Sequence, residues 1–269
     1  MNNNLIINLF KSNKNFMIGK IGATEAKAII YPVLPKIIKL LIKKIIFKRM
    51  LVWSGFFPVS DESIEKFSSL YKKDICNLDI LASWRFEEKF ISETKKIKEK
   101  IKLRDLEPYY SNNPWTKVLE KKKVLIIHPF EKTIISQYKK RKKIFLNKNI
   151  LPEFDIDTIK AVQSLSSEDS RFKNWFDALE YMKDKISKKD FDIALIGCGA
   201  YGLPLASHVK KMGKIGIHMG GSLQLLFGIK GKRWDDNPII KKLYNKHWVR
   251  PSEIEKPKNY KKVEEGCYW

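Results

Sequence analysis

The sequence predicts an α/β fold, in which a Rossmann-like, mostly parallel sheet carries helices on both faces. The first observation is a set of short apolar runs that predict buried strands, at residues 16–21, 123–127, 158–162, 191–196 and 214–218. The second is a pair of helical patterns between the later runs, at 174–186 and 203–212. Strands that alternate with helices are typical of βαβ units, whose strands lie parallel to each other.

Residues before 123 are organised less regularly. Helical patterns cover 36–49, 61–71 and 85–102. No linker and no internal repeat divides the chain. We therefore expect one α/β domain over residues 1–269, with residues 36–105 as a helical insertion.

The composition is that of a folded, strongly basic protein. Hydrophobic residues make up 43% of the chain and aromatic residues 12%, which excludes a disordered chain. The formal net charge of +23 indicates an anionic partner, such as a phosphate-bearing molecule or an acidic membrane surface. Only seven of the 53 basic residues are Arg, the side chain that most often reads DNA bases. Nucleic acid is therefore not the partner we expect.

The cysteines and the apolar runs indicate where in the cell the protein is located. The three cysteines are widely spaced and form no CxxC pair, which argues against a disulfide framework or a structural zinc site. The longest apolar-rich stretch, residues 37–47, is interrupted by lysines and is too polar to cross a bilayer. We expect a cytoplasmic protein, or one that is peripheral at the inner face of the membrane.

The helical pattern at residues 36–49 carries six positive charges and no acid. At 100° per residue, four apolar residues share one face, namely Ile38, Leu41, Ile42 and Ile45, while the opposite face carries Lys36, Lys39 and Lys43. One interpretation is a helix that lies on an anionic membrane. The other is a core helix whose lysines extend to solvent. The sequence leaves both open.

Residues 197–202, GCGAYG, form a G-x-G-x-x-G turn between a predicted strand and a predicted helix. Glycines allow close approach of the backbone, and N–H groups at the start of a helix favour a phosphate. A dinucleotide site also requires an acidic residue about 20 positions further on, yet no Asp or Glu lies between Asp192 and Asp235. NAD is therefore not the favoured cofactor. We expect the segment to bind a diphosphate through Gly197, Gly199, Tyr201 and Gly202.

A second glycine corner follows the next predicted strand. His218 ends that strand, and Gly220-Gly221 opens the following turn. Further on, Lys232 and Arg233 stand in a glycine-flanked basic loop, where they are candidates to neutralise a departing diphosphate.

Glu25 is the only acidic residue among the first 60. It follows a predicted strand in the turn Gly22-Ala23-Thr24-Glu25, at an edge where open α/β sheets place their ligands. Three roles remain open for it: a general base, a metal ligand, or a first-turn Glu that the helix dipole favours.

The aromatic residues supply a further candidate surface. Five of them are candidates for a wall that stacks on a sugar or faces lipid, although such residues are more often core: Trp53, Trp84, Tyr109, Tyr110 and Trp115.

The turn at residues 22–25 resembles the Phe-Gly-Asp-Gly-Glu type signature of bacterial glycosyltransferases with the GT-D fold. The later GCGAYG and HMGG segments are similar to the nucleotide-binding half of that family, and the EPYYSNNPW, VLIIHPFEKTI and terminal GCYW segments resemble proteins of polysaccharide and O-antigen gene clusters. The resemblance implies transfer of a sugar from a nucleotide-diphosphate sugar to a glycan or lipid-linked acceptor in surface polysaccharide biosynthesis, with Glu25 as the last acid of the signature. Ala23 replaces the preceding Asp, which puts a two-carboxylate Mn²⁺ or Mg²⁺ clamp in doubt and leaves Glu25 as the metal ligand, if there is one.

Two other classes of function remain open. The first is an NAD(P)-dependent oxidoreductase that uses the GCGAYG turn. The second is a non-catalytic basic protein that binds membrane or nucleic acid.

Overall fold

The computed structural model describes residues 3–12, 14–164 and 171–269. Its strands are β1 (Met17–Gly19), β2 (Ile80–Ser83), β3 (Glu99–Lys102), β4 (Lys123–His128), β5 (Asp155–Lys160), β6 (Ile193–Ile196) and β7 (Ile215–His218). All seven pair in parallel in one sheet, in the order β3-β2-β1-β7-β6-β4-β5. The predicted Rossmann-like α/β class is therefore confirmed.

Helices cover both faces of this sheet. They are α1 (Asn3–Lys11), α2 (Ala23–Ile30), α3 (Lys36–Trp53), α4 (Asp61–Ile75), α5 (Leu103–Leu106), α6 (Glu131–Tyr138), α7 (Arg141–Ile144), α8 (Trp175–Ser187), α9 (Gly202–Lys211), α10 (Leu223–Leu226), α11 (Lys232–Asp235) and α12 (Pro238–Leu243). Side chains of α2, α4, α8 and α9 pack in one hydrophobic cluster, and those of α1, α6, α10 and α12 pack in another.

The central strands are apolar because both of their faces are buried. Met17 points into the first cluster and its neighbour Ile18 into the second, as the alternation of a β-strand requires. Ile18 pairs with Ile80 on one side and with Ile217 on the other. The predicted strands near residues 16, 123, 191 and 214 are thus confirmed as β1, β4, β6 and β7.

The sheet edges differ from the prediction. Residues 85–102 are not a helix, since they form two 3₁₀ turns, at Phe86–Phe90 and Ser92–Lys96, and then β3. Strands β2 and β3 also show that residues 36–105 are not wholly a helical insertion. In β3 only Ile101 is buried, because this edge strand has a single covered face and its lysines face water. At the other edge, the strand predicted at 158–162 lies at Asp155–Lys160.

Helix α3 extends the helix predicted at 36–49 to Trp53, and it buries Ile46 and Met50 in its second half. Leu41 and Ile45 are exposed, whereas Lys39 donates a hydrogen bond to the carbonyl of Pro32 and Lys43 pairs with Asp61. The predicted apolar face is thus divided, because Ile42 packs against the first hydrophobic cluster while Leu41 and Ile45 face solvent, and both interpretations of this helix stay open. Among the described residues, no helix combines the length and apolar character needed to span a membrane.

Candidate functional site

Two adjoining cavities open at the carboxyl ends of the central strands. The first, here called the polar cavity, has a volume of about 710 Å³ and contains Lys20, Glu25, His218 and Arg233 in its lining. The second, here called the aromatic cavity, has a volume of about 650 Å³ and contains His128, Phe130, Tyr201 and Trp269 in its lining. The two share Trp53, Ser54, Gly199, Gly221, Val263 and Tyr268. Both volumes include space that is open to solvent.

Strand order explains why the cavities lie here. The chain leaves β4 towards β5 on one side and leaves β6 towards β7 on the other, although β4 and β6 are neighbours. Such a switch point opens a crevice above the carboxyl ends of the two strands. The end of β4 supplies His128 to the aromatic cavity, and the turn after β6 supplies Gly197.

Glu25 is held in a defined position in the polar cavity. It is buried in the first turn of α2, and its Oε1 accepts a 2.8 Å hydrogen bond from Oγ of Ser54. Its Oε2 lies 1.8 Å from where a Cβ atom at Gly22 would be. The carboxylate therefore folds back over Gly22, a position that only glycine can occupy without displacing it.

Lys20 lies in the same cavity, directly after β1. Its Nζ lies 5.2 Å from the centroid of the Trp84 ring, and in the described part of the chain it makes no hydrogen bond or ion pair. Burial lowers the pKa of Lys20, while the carboxylates of Glu25 and Glu107 act in the opposite direction. A half-buried ammonium group that makes no ion pair is available to an anionic ligand.

The turn after β6 contributes to both cavities. Gly199 adopts a left-handed φ of +56° that favours glycine, and it lines both cavities. Gly197 approaches the carbonyl of Gly220 so closely that a Cβ atom would lie 2.6 Å from that oxygen. Tyr201 lines the aromatic cavity, stacks on Trp175 at 4.8 Å and forms a 2.8 Å hydrogen bond with Ser164 through its hydroxyl.

Gly202 serves packing rather than the cavities, because a Cβ atom there would lie 2.1 Å from two atoms of the His218 ring. His218 itself lines the polar cavity, and its Nδ1 has no hydrogen-bond partner among the described residues. Burial, and next the nearby charge of Lys20, lowers the pKa of His218 to about 3. The imidazole is therefore neutral near pH 7 and adds no positive charge to the site.

The second glycine corner meets the C-terminal segment. Gly220 and Gly221 both line the polar cavity. A Cβ atom at Gly220 would lie 2.8 Å from Nζ of Lys20, and one at Gly221 would lie 2.3 Å from the Tyr268 ring. The glycines thus let a lysine and a tyrosine approach the turn that follows β7.

The structure separates the two basic residues predicted to bind the donor. Arg233 lines the polar cavity, donates a 3.2 Å hydrogen bond to the Tyr268 hydroxyl and pairs with Glu264. Lys232 does not line either cavity, and its exposed Nζ pairs with Glu265 at 3.1 Å. Both residues lie in the short helix α11, where neighbours point about 100° apart. Backbone bonds from their N–H groups to the carbonyls of Trp269 and Cys267 hold this helix against the C-terminal segment.

Aromatic residues divide between the cavities and the core. Trp53 lines both cavities and Trp84 lines the polar one, whereas Trp115 and Tyr109 are buried in the second hydrophobic cluster and Tyr110 packs against it.

His128 is buried beside Phe130, and its Nδ1 accepts a 3.0 Å hydrogen bond from the N–H of that residue. Burial lowers the pKa of His128 to about 3, so this ring is also neutral near pH 7.

The donor set around Glu25 does not fit a two-carboxylate metal clamp. Ala23 stands where the second acid of the signature is expected, and the other acid that lines the cavity, Glu264, pairs with Arg233. Within residues 3–12, 14–164 and 171–269, no group of three or more His, Cys, Asp or Glu side chains is placed to hold a metal ion.

Most of the predicted residues meet in these cavities, and three further ones were missed. Glu25, Gly22, Gly199, His218, Gly220, Gly221 and Arg233 line the polar cavity, and Gly197 and Tyr201 line the aromatic one, while Gly202 and Lys232 line neither. The missed residues are Lys20, Ser54 and Tyr268. The position of Lys20, immediately after an apolar strand and before a glycine turn, was a usable signal for it. Ser54 and Tyr268 reach the cavities through packing between distant segments of the chain, which no local sequence pattern predicts.

Comparisons of the chain with protein-family models, with curated proteins and with solved structures gave no match.

Proposed function

We propose that the protein is a glycosyltransferase that moves a sugar from a nucleotide-diphosphate donor to the hydroxyl of a glycan or lipid-linked acceptor. The observation that carries this proposal is that Glu25, Lys20, Arg233 and Gly199 line one cavity at the carboxyl ends of the central strands. The cavity brings together the carboxylate of Glu25 and two cations, of which Arg233 also pairs with the lining carboxylate of Glu264.

The cations and the backbone favour a diphosphate. Lys20 makes no ion pair in the described residues, although the charges of Glu25 and Glu107 act on it, and Arg233 also lines the cavity. No side chain caps α2 at Gly22, so the N–H groups of its first turn are available beside the cavity. We place the diphosphate between Lys20, Arg233 and the turn at Gly199.

The aromatic cavity is suited to the rest of the donor. It adjoins the polar cavity at Gly199 and is lined by the rings of Phe130, Tyr201 and Trp269. Aromatic rings stack on nucleobases and on the apolar faces of sugars. We therefore expect the nucleoside to lie in the aromatic cavity and the sugar to lie towards Glu25.

Glu25 is the group that we assign to the reacting hydroxyl. In this proposal the carboxylate of Glu25 accepts the proton of the acceptor hydroxyl, whose oxygen forms a bond to the anomeric carbon. The bond from that carbon to the diphosphate oxygen breaks, and its electron pair leaves with the nucleoside diphosphate. Lys20 and Arg233 stabilise the negative charge that develops on this leaving group.

An oxidoreductase is the less favoured alternative. A dinucleotide site requires an acid at the end of β7 to hold the ribose hydroxyls, and His218 stands there instead. No observation among the described residues favours NAD over a nucleotide diphosphate.

Calorimetric titration with UDP, GDP and ADP, compared with NADH, tests the proposed ligand class. We expect at least one of the diphosphates to bind, and the Lys20→Met and Arg233→Met variants to weaken that binding by about tenfold or more each. The matched control is Lys232→Met, which removes the neighbouring lysine outside the cavity and should change the affinity less than about twofold.

Three results would overturn the proposal. They are binding of NADH in preference to every diphosphate, no binding of any of these nucleotides, and an equal loss of affinity in the Lys232→Met control.

A further inference from the structure

Among the described residues, helix α3 carries more exposed large apolar side chains than any other α-helix. Large apolar side chains face solvent along its first turns, with exposed fractions of 73% for Leu41, 67% for Ile37 and 65% for Leu40. Ile45 is also more than half exposed. Contiguous apolar side chains in water are costly, and they commonly mark an interaction surface.

The orientation of this helix is set by its opposite face. Ile46 and Met50 are buried in the first hydrophobic cluster, and Lys39 and Lys43 are held by Pro32 and Asp61. The protein thus binds two lysines of the helix and leaves Leu40 and Leu41 exposed.

Basic side chains border the exposed apolar residues. Lys44 and Lys48 are exposed and make no ion pair in the part of the chain that the structure describes. On a helical wheel they fall within the arc that contains Ile37 and Leu41. The helix contains no acid. The outward face is therefore both apolar and positively charged.

We propose that the outward face of α3 binds an anionic lipid bilayer, with its leucine and isoleucine side chains in the acyl boundary and Lys44 and Lys48 at the headgroups. This combination of apolar and basic residues on one face matches the chemistry of an acidic membrane surface. A second copy of the chain fits less well, because two such faces packed together would bring the lysines of both copies close to each other.

The same helix connects this surface to the cavities. Trp53, the last residue of α3, lines both of them, about 12 Å along the helix axis from Ile45. Docking by α3 would therefore hold the cavities close to the bilayer. Membrane binding itself does not depend on the proposed sugar transfer.

Co-sedimentation of the full chain with vesicles tests the proposal. We expect binding to vesicles of phosphatidylcholine with phosphatidylglycerol, weaker binding to phosphatidylcholine alone, and a loss of affinity as salt is raised. The variant Ile37→Glu/Leu41→Glu should lose about tenfold or more of the affinity. Its matched control is Leu146→Glu/Ile254→Glu, which places the same charge at two exposed apolar positions elsewhere and should retain binding.

The charge contribution has its own control. Lys44→Glu/Lys48→Glu should weaken binding to the anionic vesicles by about tenfold or more, whereas Lys140→Glu/Lys142→Glu, an equal charge change in the other basic run, should not. All these positions are exposed, so circular dichroism should show an unchanged fold.

Several outcomes would overturn the proposal. They are no binding of the wild-type chain to anionic vesicles, equal losses in the variants and their controls, and a lipid-free dimer that Ile37→Glu/Leu41→Glu dissociates. The dimer would assign the face to a second copy of the chain.

Discussion

Oγ of Ser54 donates a 2.8 Å hydrogen bond to Oε1 of Glu25 and so joins the end of α3 to the first turn of α2. The other carboxylate oxygen has no hydrogen-bond partner among the described residues and lies over Gly22 at the wall of the polar cavity. One oxygen is thus positioned by the protein, and the other is available to a substrate.

In the proposed sugar transfer, removal of the positioning hydroxyl should lower kcat less than removal of the carboxylate. We expect Glu25→Gln to lower kcat by about 10²- to 10⁴-fold with the fold retained, as loss of a general base does. Ser54→Ala removes one hydrogen bond to a charged group and should lower kcat by about tenfold with little change in KM for the donor. Turnover of the nucleotide-sugar donor is the measurement.

Ser68→Ala is the matched control for this pair. Ser68 is a buried serine of α4 that bonds the carbonyl of Ile29 outside the cavities, so its loss should leave kcat unchanged. Full activity of Glu25→Gln would remove Glu25 from the reaction.

Diphosphate binding should weaken at high pH because of Lys20. Burial lowers the pKa of Lys20 below its usual 10.5, so this ammonium loses its proton at a lower pH than an exposed lysine. The affinity for a nucleoside diphosphate should therefore fall as the pH rises through that lowered value. Tyr268, whose pKa burial raises to about 12, stays protonated over the same range.

The variant Lys20→Arg separates this effect from others at high pH. Arginine keeps its charge throughout this range, so titration calorimetry should show an affinity that no longer falls. A fall of the same size in Lys20→Arg would assign the pH dependence to another group.

Gly202→Ala should lower stability rather than ligand affinity. The new methyl group would meet the His218 ring, and overpacking of this kind costs about 1–3 kcal/mol. Alanine is otherwise a better helix former than glycine, so a lower free energy of unfolding would come from the clash between the new methyl group and the His218 ring. Urea denaturation is the measurement, and Gly202→Ala/His218→Ala should recover part of the loss because the two residues share one space.

A weaker affinity for the diphosphate, without any loss of stability in Gly202→Ala, would be the opposite result. It would show that Gly202 approaches the ligand.

Mild acid should destabilise the fold through its two buried histidines. Burial lowers the pKa values of His128 and His218 to about 3 in the folded protein, while the unfolded chain takes up protons near 6.5. Between these values the unfolded state binds more protons. The free energy of unfolding should therefore fall with decreasing pH, by about 1.4 kcal/mol per pH unit for each histidine.

His128→Asn tests this directly. The side-chain oxygen of asparagine can accept the hydrogen bond from Phe130 N–H but does not titrate. Urea denaturation between pH 7 and pH 5 should show a mean slope that is smaller by about 1 kcal/mol per pH unit, because an unfolded histidine is only partly protonated near pH 7. An unchanged slope would assign the acid sensitivity to other groups.

The central strands could be predicted because their signal is local. Lys123–His128 and Ile193–Ile196 are buried on both faces, so each is an almost unbroken apolar run. The edge strand Glu99–Lys102 has one buried residue, and its lysines made it resemble a polar helix. Apolar residues in a sequence mark buried positions, so a strand whose residues are mostly exposed lacks the apolar pattern that would reveal it.

The same distinction applies to the site. The glycine turns around Gly22, Gly199 and Gly220 could be found, because a left-handed or closely packed backbone restricts the residue type at that position. Which cation reaches the cavity could not be predicted. Arg233 does and its neighbour Lys232 does not, since the choice depends on how α11 packs against the C-terminal segment.

The sequence by itself determined the fold class, the positions of the glycine turns and the acid that stands beside the first of them. These follow from short-range periodicity and from backbone geometry, which act over a few residues. Only the tertiary structure decided that Lys20, Ser54 and Tyr268 join Glu25, and that α3 turns Leu40 and Leu41 outward. Both outcomes depend on contacts between residues far apart in the chain, where the packing of whole helices decides which face each side chain presents.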